Sequence, residues 1–504
     1  GYADAQSRAK RLAKALGALG VGEGDRVATL AWNGYRHYEL YYGVSGMGAV
    51  CHMVNPRLFP GQISYIVDHA EDAVVFTDLT FVPMLEQIAN GLNTVKAFVV
   101  MTDEAHMPET SLPNVLCYET LLAAQDDDYA WPQLDELTAS SMCYSSGTTG
   151  NPKGVLYSHR STVLHAIVSA TPDMMGIAAA DCVLPVVPMF HVNAWGLPYS
   201  STLVGAKIVM PGQQMDGESL HALIEGEGVT LSAGVPTVWL GLLDYLERTG
   251  KRVDGFGRCV IGGSALPRAM TAKLSEKYGV EAIHAWGMTE MSPLGTMNYP
   301  KHGMEDETPE QLYDRQIKQG RPCYGVDMKI VDDDNTPLPE DGKAFGELKV
   351  RGHWVCSQYY RGEGDSHDSD GWFSTGDVAT IDSDGYMHVT DRSKDVIKSG
   401  GEWISSIELE NIAVGHPGVF EAAVVGVAHP KWDERPLLVA VRGEGSTVTR
   451  EDLLDFYRGK VAKWWIPDDV VFVDELPHTA TGKLLKMELR EQFADYELPA
   501  VEAG

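Results

Sequence analysis

The sequence predicts an α/β protein with a large, multi-layered N-terminal domain of parallel sheets and a small α+β C-terminal domain. Three observations lead to this fold class. Short β-rich runs alternate with helical patterns from Arg26 onward, the pattern between Pro322 and His388 is β-rich with Gly turns, and a new compact pattern follows Asp391 and Arg392. Such alternation is typical of helices layered on a parallel sheet. We therefore predict two domains, 1–390 and 391–504.

The individual elements follow from these patterns in chain order. A helix-like stretch covers Ala3 to Leu19, and alternating runs then cover Val27 to Leu30, Tyr35 to Met47, Gly48 to Asn55, Gln62 to Ala70 and Ala73 to Phe76. The same alternation of β-rich and helical runs recurs at Asp181 to Met210, Val229 to Ala233 and Arg258 to Gly262. One long α/β unit is thus expected to run to about residue 390.

The elements predicted after Pro322 no longer follow the α/β alternation of the main unit. The runs Lys343 to Gly352 and Ile381 to Val389 suggest a distorted barrel or sheet, a β-barrel-like part appended to the main unit. For the small domain we predict helices around Ile404 to Val414 and Arg450 to Arg458, and strands at Ala422 to Val427 and Asp469 to Val473.

Composition excludes several classes of function. The chain has 504 residues and a formal charge of -30, which argues against nucleic acid as a partner because phosphate backbones need clustered Lys and Arg. No run approaches the roughly 18 apolar residues of a membrane helix, and no signal pattern opens the chain, so we expect a cytoplasmic protein without an integral membrane segment. The seven cysteines are scattered and never in a CxxC spacing, which predicts reduced thiols and no zinc site.

One segment carries recognisable chemistry, the polar loop from Tyr144 to Gly154. Four Ser/Thr hydroxyls, three glycines and a lysine cluster there, and its phosphate-binding candidates are Ser145, Ser146, Gly147, Thr148, Thr149, Gly150 and Lys153. Glycines let backbone N–H groups turn toward an oxyanion, while hydroxyls and Lys153 add donors and charge. The plainer alternative is a polar surface turn. The spacing is not that of a Walker A loop.

This loop resembles the phosphate-loop signature of the acyl-adenylate-forming superfamily, which includes acyl-CoA synthetases, luciferases and peptide-synthetase adenylation domains. Four further segments resemble that superfamily's motifs in the expected order: Trp286 to Glu290, Ser374 to Asp377, Asp391 to Lys398, and Pro477 to Lys483. Five ordered matches make coincidence negligible. The resemblance implies an ATP-dependent acid:CoA ligase that forms acyl-AMP and pyrophosphate, then acyl-CoA and AMP.

The resemblance also implies the cosubstrates ATP and coenzyme A, with Mg²⁺ held by Ser145 and Glu290. Hard oxygen ligands suit that cation. The implied catalytic residues are Lys483, Glu290 and His191. A lysine near the end of a chain is usually a solvated side chain, but the turn Thr481-Gly482 would present Lys483 where charge develops during adenylation.

Further nucleotide contacts follow from the same resemblance. They are expected at Gly263, His284, Ala285, Trp286, Thr289, Asp377, Arg392, Lys394, Lys398 and Trp403. Asp377 would accept hydrogen bonds from the ribose, and Arg392 would reach ribose or phosphate. Taken alone, the Thr-Gly-Asp segment could be a turn and Asp377 with Arg392 a salt bridge.

The small domain is implied to be a mobile lid. In the superfamily it rotates about a hinge at Asp391, which presents Lys483 for the first half-reaction and the loop around Gly400, Gly401 and Glu402 to CoA for the second. Relatives often form homodimers through the large domain, so a homodimer is an expectation from resemblance alone.

The acid is implied by the segment from Val187 to Gly196. Ordinary core packing would explain it equally well from pattern alone, but it resembles bacterial fatty acyl-CoA synthetases, in which the match to Trp195 gates a tunnel and His191 and Val192 line the acyl site. A medium- to long-chain fatty acid is the leading substrate. The alternatives are a short-chain or methylmercaptopropionate-CoA ligase, and less so a carrier-protein adenylation domain or luciferase-like enzyme. A nucleotide-binding regulator is disfavoured because Lys483, Glu290 and Asp377 are all present.

Overall fold

The computed structural model describes residues 1–145, 151–363, 367–400, 402–478 and 484–499, with the backbone alone at 402 and 403. The helices are α1 (Tyr2–Ala18), α2 (Tyr35–Gly46), α3 (Pro60–Ala70), α4 (Val82–Ile88), α5 (Tyr118–Ala123), α6 (His159–Ser169), α7 (Val192–Trp195), α8 (Leu197–Val204), α9 (Gly217–Glu227), α10 (Pro236–Thr249), α11 (Arg268–Ala272), α12 (Pro309–Gln316), α13 (Ser406–Val414), α14 (Arg450–Phe456) and α15 (Lys486–Gln492).

The first sheet is mostly parallel, and its strands are buried almost throughout, which explains their nearly continuous apolar runs. Its strands are β1 (Arg26–Leu30), β2 (Val50–Met53), β3 (Asp72–Thr77), β4 (Ala97–Val100), β5 (Val115–Cys117), β6 (Ala139–Tyr144) and β7 (Gly154–Ser158). Their spatial order in the described residues is β5-β4-β3-β1-β2-β6-β7, and only β7 runs antiparallel to its neighbour. The phosphate-loop segment therefore connects the last two strands at one edge.

A second sheet repeats this layout. Its strands are β8 (Cys182–Pro185), β9 (Lys207–Ile208), β10 (Leu231–Gly234), β11 (Arg258–Ile261), β12 (Glu281–Gly287), β13 (Leu294–Met297) and β14 (Arg321–Pro322). Among the described strands the order is β14-β13-β12-β11-β10-β8-β9, parallel from β9 to β12 and antiparallel beyond. The carboxyl ends of β8, β10, β11 and β12 meet at one edge, where ligands bind in open α/β sheets.

The β-rich region after Pro322 is an antiparallel sheet of four consecutive strands within the described residues. They are β15 (Val326–Val331), β16 (Phe345–Gly352), β17 (Phe373–Ile381) and β18 (Met387–Arg392). Of the two expected forms, barrel or sheet, the strands pair as a sheet. The run predicted from Ile381 to Val389 spans the end of β17, a turn and the start of β18.

A fourth sheet follows Asp391. Its strands are β19 (Ile397–Ser399), β20 (Glu402–Ile404), β21 (Val419–His429), β22 (Asp433–Arg442) and β23 (Asp469–Val473). They pair antiparallel except for β23, which lies parallel to β22. The fold class is therefore as predicted, with a large parallel-sheet domain and a smaller C-terminal one.

The packing of apolar side chains divides the molecule in the same way. One buried cluster joins Val27 of the first sheet, Val183 of the second and Leu348 of the third. The residues after Asp391 bury clusters of their own, including Val424 and Leu438. All seven cysteines are free and buried.

Asp391 connects the two parts of the chain. Its carboxylate accepts hydrogen bonds from the Ser406 backbone N–H at 2.6 Å and from the Ser406 hydroxyl at 2.9 Å. The Ser405 hydroxyl donates to the Thr390 carbonyl and also accepts from the Glu408 N–H, so it caps the start of α13. The end of β18 is thus tied to the first helix of the small domain.

No helix in the described part of the chain combines the length and apolar character needed to cross a membrane.

Candidate active site

A cavity of about 850 Å³ lies between the large domain and the small domain. This volume is within the range of small-molecule sites. Its lining includes residues that follow β6, β8, β10 and β11, residues in or near β12 and β17, and residues 392–395 and 484–487. The phosphate-loop strands, the edge of the second sheet and the small domain therefore meet at one cavity.

One side of the cavity is an apolar wall, formed by Val186, Val187, Phe190, Val192, Trp195, Val235 and Val238. These residues follow β8 or β10, which are neighbours in the second sheet, and the Val187 N–H donates to the Ala233 carbonyl at 3.0 Å. His191 is the one ionisable residue among the lining residues contributed by 186–195 and the start of α10. This wall suits an apolar ligand.

Two buried polar side chains hold the segment that carries this wall. Asn33 donates to the Val187 carbonyl at 2.9 Å and accepts from the Met189 N–H at 2.6 Å. The Tyr41 hydroxyl donates to the Met189 carbonyl at 2.5 Å. Buried backbone groups need such partners, so these bonds fix a stretch that has no strand or right-handed helix of its own.

The wall ends in a left-handed turn, α7. Val192, Asn193, Ala194 and Trp195 have φ values of 45°, 54°, 50° and 55°, and Gly196 follows at 77°. The left-handed conformation costs about 1–2 kcal/mol for each ordinary L-residue. All four non-glycine side chains are buried. Burial must therefore offset the strain, and strained backbone of this kind is concentrated at functional sites.

Trp195 lies against the backbone of two glycines at the end of β11. A Cβ on Gly262 would stand 3.2 Å from the Trp195 ring and 2.8 Å from the Ala285 carbonyl. A Cβ on Gly263 would stand 3.9 Å from the same ring. Trp195 is therefore positioned where the apolar wall meets the backbone of Ala285.

Glu290 and Lys153 also line the cavity. The Tyr359 hydroxyl donates to Glu290 Oε1 at 2.7 Å, and Lys153 Nζ lies 4.8 Å from the centroid of the Tyr359 ring. Burial raises the pKa of Glu290, although the Tyr359 hydrogen bond opposes this effect. Tyr359 thus orients a carboxylate and a cation in one region of the cavity.

Asp377 connects two lining residues. Its carboxylate accepts from Trp286 Nε1 at 2.9 Å and pairs with Arg392 Nε at 2.8 Å. The Asp377 side chain is 3% exposed and the Arg392 side chain 45%. The carboxylate is therefore held rigidly, while its cationic partner can reach into the cavity.

The small domain contributes Leu484 to Met487 to the cavity. Lys486 Nζ pairs with Glu410 Oε1 at 2.6 Å and donates to Ser406 Oγ at 2.5 Å, and both side chains of the ion pair are about 90% buried, at 10% and 12% exposure. Burial alone would lower the pKa of Lys486, but Glu410 and Asp391 raise it, so the ammonium stays charged. This cluster anchors the segment to α13 and to Asp391.

Comparison with known proteins identifies the chain. The AMP-binding enzyme family matches residues 1–360, and the AMP-binding enzyme C-terminal domain matches residues 408–483. The chain belongs to the AMP-binding enzyme family.

Similar proteins indicate which class of reaction this AMP-binding enzyme catalyses. It is 53% identical over 98% of its length to a medium-chain-fatty-acid–CoA ligase of Ectopseudomonas oleovorans, of which the match covers 90%. It is 55% identical over 98% of its length to a 3-methylmercaptopropionyl-CoA ligase of Ruegeria pomeroyi, of which 92% is covered. A solved anthranilate CoA ligase in complex with anthranoyl-AMP has a TM-score of 0.86 at 26% identity, covering 97% of this chain and 91% of that one. The chain is thus an AMP-forming acid–thiol ligase that uses ATP and CoA, as the motifs predicted.

The AMP-binding enzyme brings most of the predicted site residues that the structure describes to one cavity. Those lining it are Ser145, Lys153, His191, Val192, Trp195, Gly263, Ala285, Trp286, Thr289, Glu290, Arg392 and Lys394. Asp377 does not line the cavity but bonds to two residues that do. Residues from five separate motifs or segments of the chain therefore meet.

Other predicted residues lie elsewhere. His284 is buried and its Nδ1 lies 2.9 Å from the Ile317 carbonyl, away from the cavity lining, and burial lowers its pKa to about 4. Its side chain therefore gives no support to the predicted nucleotide contact. Lys398 and Gly400 also do not line the cavity; the Gly400 N–H donates to the Trp432 carbonyl at 2.7 Å.

Several predicted positions lie outside the described residues: Ser146, Gly147, Thr148, Thr149, Gly150, Gly401 and Lys483, with the side chains of Glu402 and Trp403.

The motifs leave out three residues that organise the site. Tyr359 orients Glu290, Asn33 holds the apolar wall, and Lys486 anchors the 484–487 segment. The pair Tyr359-Tyr360, placed shortly before the Thr-Gly-Asp segment, is a signal that could have indicated Tyr359. For Asn33 the local sequence carries no signal, because its partners lie over 150 residues away in the chain.

Proposed function

We propose that this enzyme activates a medium- to long-chain fatty acid, with medium-chain acids preferred, and transfers the acyl group to CoA. The observation that carries the proposal is the apolar wall, which meets the predicted nucleotide residue Ala285 at Trp195. An acid bound with its carboxylate at this junction would place its tail on Val187, Val235 and Val238. The 53% identical medium-chain ligase supports the same substrate class.

In the first half-reaction, we assign Asp377 and Arg392 to the ribose and phosphate of ATP, and His191 to the carboxylate end of the acid. Lys483 would stabilise the negative charge that develops as the carboxylate attacks the α-phosphate. Lys153 and the hydroxyls and N–H groups of 145–150 would hold the remaining phosphates. The positions of Lys153 and Arg392 on the cavity support this arrangement.

Magnesium is proposed to bind with ATP. Among the described residues, no cluster of three or more His, Cys, Asp or Glu could hold a metal. The Glu290 carboxylate and the Ser145 hydroxyl both line the cavity, which fits Mg²⁺ because that cation is usually held by one or two carboxylates together with phosphates and waters. When bound, it would neutralise phosphate charge.

For the second half-reaction we propose rotation of the small domain about Asp391. Gly400 lies outside the cavity while Leu484 to Met487 line it, as expected if this arrangement serves adenylation. Rotation would bring Gly400, Gly401 and Glu402 to the pantetheine arm and remove Lys483, while Lys394, Lys398 and Trp403 contact the nucleotide. A homodimer and a cytoplasmic location belong to the same proposal, and light scattering and cell fractionation would test them.

A second candidate, 3-methylmercaptopropionate, is favoured by the 55% identical Ruegeria pomeroyi ligase. This short thioether acid would also fit an apolar wall. The two substrates differ in the length of apolar surface they need, so chain length separates them.

The test measures pyrophosphate release with a panel of acids from propionate to palmitate, plus 3-methylmercaptopropionate. We expect kcat/KM to rise through the medium-chain acids, because each buried methylene contributes about 0.8 kcal/mol until the wall is filled. A maximum at 3-methylmercaptopropionate would favour the second candidate. If no acid of the panel stimulates pyrophosphate release, the proposed substrate class is wrong.

A further inference from the structure

The side chain of Asn193 links the left-handed turn α7 to the strand that leads into the phosphate loop. Asn193 Nδ2 donates to the Ser141 hydroxyl at 3.1 Å, and Asn193 Oδ1 accepts from the Cys143 thiol at 3.6 Å. Ser141 and Cys143 lie two positions apart in β6, so their side chains point to the same side of the first sheet. Both are buried, as is Asn193 at 4% exposure.

The chemistry of these contacts is consistent in a dry environment. Burial raises the pKa of Cys143 to about 12, so the thiol keeps its proton and can donate to the Asn193 carbonyl oxygen. Ser141 accepts from the amide. The Asn193 amide therefore has a donor and an acceptor facing it on one strand, and no solvent competes for either bond.

Asparagine is also suited to the backbone here. Asn tolerates the left-handed conformation better than most residues, whereas Val192, Ala194 and Trp195 on either side do not. Asn193 is thus the one residue of α7 that both accepts the conformation and bonds to a rigid neighbour. Without its two bonds, the remaining residues would favour another backbone conformation.

The position of Trp195 depends on this turn. Trp195 lies two residues after Asn193, and its ring packs on Gly262 and Gly263 where the apolar wall meets Ala285. An acyl tail that enters the wall from the nucleotide side passes this ring. A change in the turn would therefore alter the space for long tails more than for short ones.

We propose that Asn193 is a specificity-determining residue, which sets the acyl-chain preference by holding the left-handed turn that positions Trp195 between the nucleotide residues and the apolar wall. Asn193 acts through Trp195 and is a positioning residue. This inference rests on the proposed function, because it assumes that the acyl tail lies on the apolar wall.

The experiment compares kcat/KM for hexanoate and dodecanoate in wild type, Asn193→Gly and Ser141→Ala. The glycine variant keeps backbone freedom but loses both bonds, and the alanine variant removes one acceptor and leaves Asn193 in place. We expect the dodecanoate-to-hexanoate ratio to change about tenfold in Asn193→Gly and in the same direction, by less, in Ser141→Ala, with KM for ATP unchanged. If Asn193→Gly does not fold, Ser141→Ala alone decides the question.

A double-variant test distinguishes a role of Asn193 in positioning Trp195 from a general loss of rigidity around the cavity. In a Trp195→Ala background, Asn193→Gly should leave the ratio as it is, because the ring that Asn193 positions is gone. A further change of the ratio in that background would overturn the proposal, and so would a wild-type ratio in the folded single variants.

The matched control is Asn298→Gly. Asn298 is likewise buried, at 3% exposure, and its amide donates to the Arg315 and Lys318 carbonyls away from the apolar wall. This variant should be less stable than wild type and keep the wild-type dodecanoate-to-hexanoate ratio. An equal change of the ratio would show that any buried asparagine has this effect and would reject the role of Asn193.

The wild-type enzyme distinguishes failure of the proposed function from failure of this inference. If wild type activates neither fatty acid, the proposed function is wrong. If it activates both and the variants keep its ratio, only the role of Asn193 is wrong.

Discussion

Asp377 makes two contacts that an uncharged side chain cannot fully reproduce. It accepts from Trp286 Nε1 at 2.9 Å and pairs with Arg392 at 2.8 Å. We predict that Asp377→Asn lowers kcat/KM for ATP about 10- to 100-fold, because a charge-assisted bond is lost and Arg392 is no longer held in place. The KM for CoA should change little. Initial rates of pyrophosphate release at varied ATP measure the effect.

Asp327→Asn is the matched control for this prediction. Asp327 pairs with Arg351 at 3.0 Å, but its side chain is 65% exposed and lies away from the cavity lining. Exposed ion pairs contribute little, so this variant should keep the wild-type kinetics. An unchanged kcat/KM for ATP in Asp377→Asn would show that its two contacts serve stability alone.

For single residues, the sequence predicted which residue types the site contains better than it predicted which side chains bond to one another. Asp377 and Arg392 were expected either to bind a nucleotide or to form a salt bridge, and the structure contains the salt bridge at the wall of the cavity. The bond from Trp286 to Asp377 spans 91 residues and could not be read from spacing. Motifs indicate which groups are needed; contacts between motifs require the fold.

Among the elements, α6 supports the left-handed turn through a buried imidazole. His165 Nε2 accepts from the Leu294 N–H at 3.1 Å, and its ring would lie 2.7 Å from a Cβ on Gly196. Glycine is therefore required at 196 both by its positive φ and by this contact. Burial lowers the pKa of His165 to about 3, so the ring is neutral in the folded protein at neutral pH.

His165 should make the fold sensitive to acid. Its pKa in the folded state lies below the ordinary 6.5, so as pH falls the unfolded chain takes up this proton first. The stabilisation is present above pH 6.5 and is lost as pH falls toward about 3. We predict that the free energy of unfolding of wild type falls by about 3 kcal/mol more between pH 8 and pH 4 than that of His165→Gln.

Urea denaturation at several pH values measures this difference. His302→Gln is the control, because the His302 side chain is fully exposed at 102% and packs on neither α6 nor the turn. It should follow the wild-type profile. Parallel curves for wild type and His165→Gln would mean that His165 does not cause the acid sensitivity.

The elements differ in how well the sequence predicted them. The strand predicted at Asp469 to Val473 is β23 without change, and Val27 to Leu30 lies within β1, because both are short apolar runs with clear ends. The left-handed turn could not be predicted. Val192, Ala194 and Trp195 individually disfavour its conformation, and only contacts from β6, β11 and α6 make it stable.

On the scale of the whole molecule, the cavity exists because distant segments converge. Ser145, Glu290 and Arg392 line it together, although nearly 250 residues separate the first from the last. The order of motifs predicted that these residues act on one substrate, but not that Tyr359 or Lys486 would position their neighbours. Lys486 pairs with Glu410 in a contact that buries both side chains, so this position is more than a surface charge.

Lys486 leads to a prediction about the two half-reactions. It anchors Leu484 to Met487, directly after Lys483, to α13 through Glu410 and Ser406. Lys486→Met should leave the segment loose and so displace Lys483, which we propose acts in adenylation. We expect acyl-AMP formation to slow about 10- to 100-fold, because small misplacements of a catalytic group are costly. Thioester formation from supplied acyl-AMP should be largely spared.

Three comparisons decide whether Lys486 positions the lysine or only stabilises the small domain. Lys483→Ala should abolish acyl-AMP formation yet largely spare thioester formation, and Lys486→Met should resemble it in this split. Lys486→Arg should recover most of the adenylation rate, since a guanidinium can still pair with Glu410. Arg450→Met breaks a different small-domain ion pair, with Asp469, and should affect both half-reactions alike. Equal losses in both half-reactions of Lys486→Met would assign Lys486 to stability alone, because a residue that acts through the proposed adenylation lysine would slow adenylation selectively.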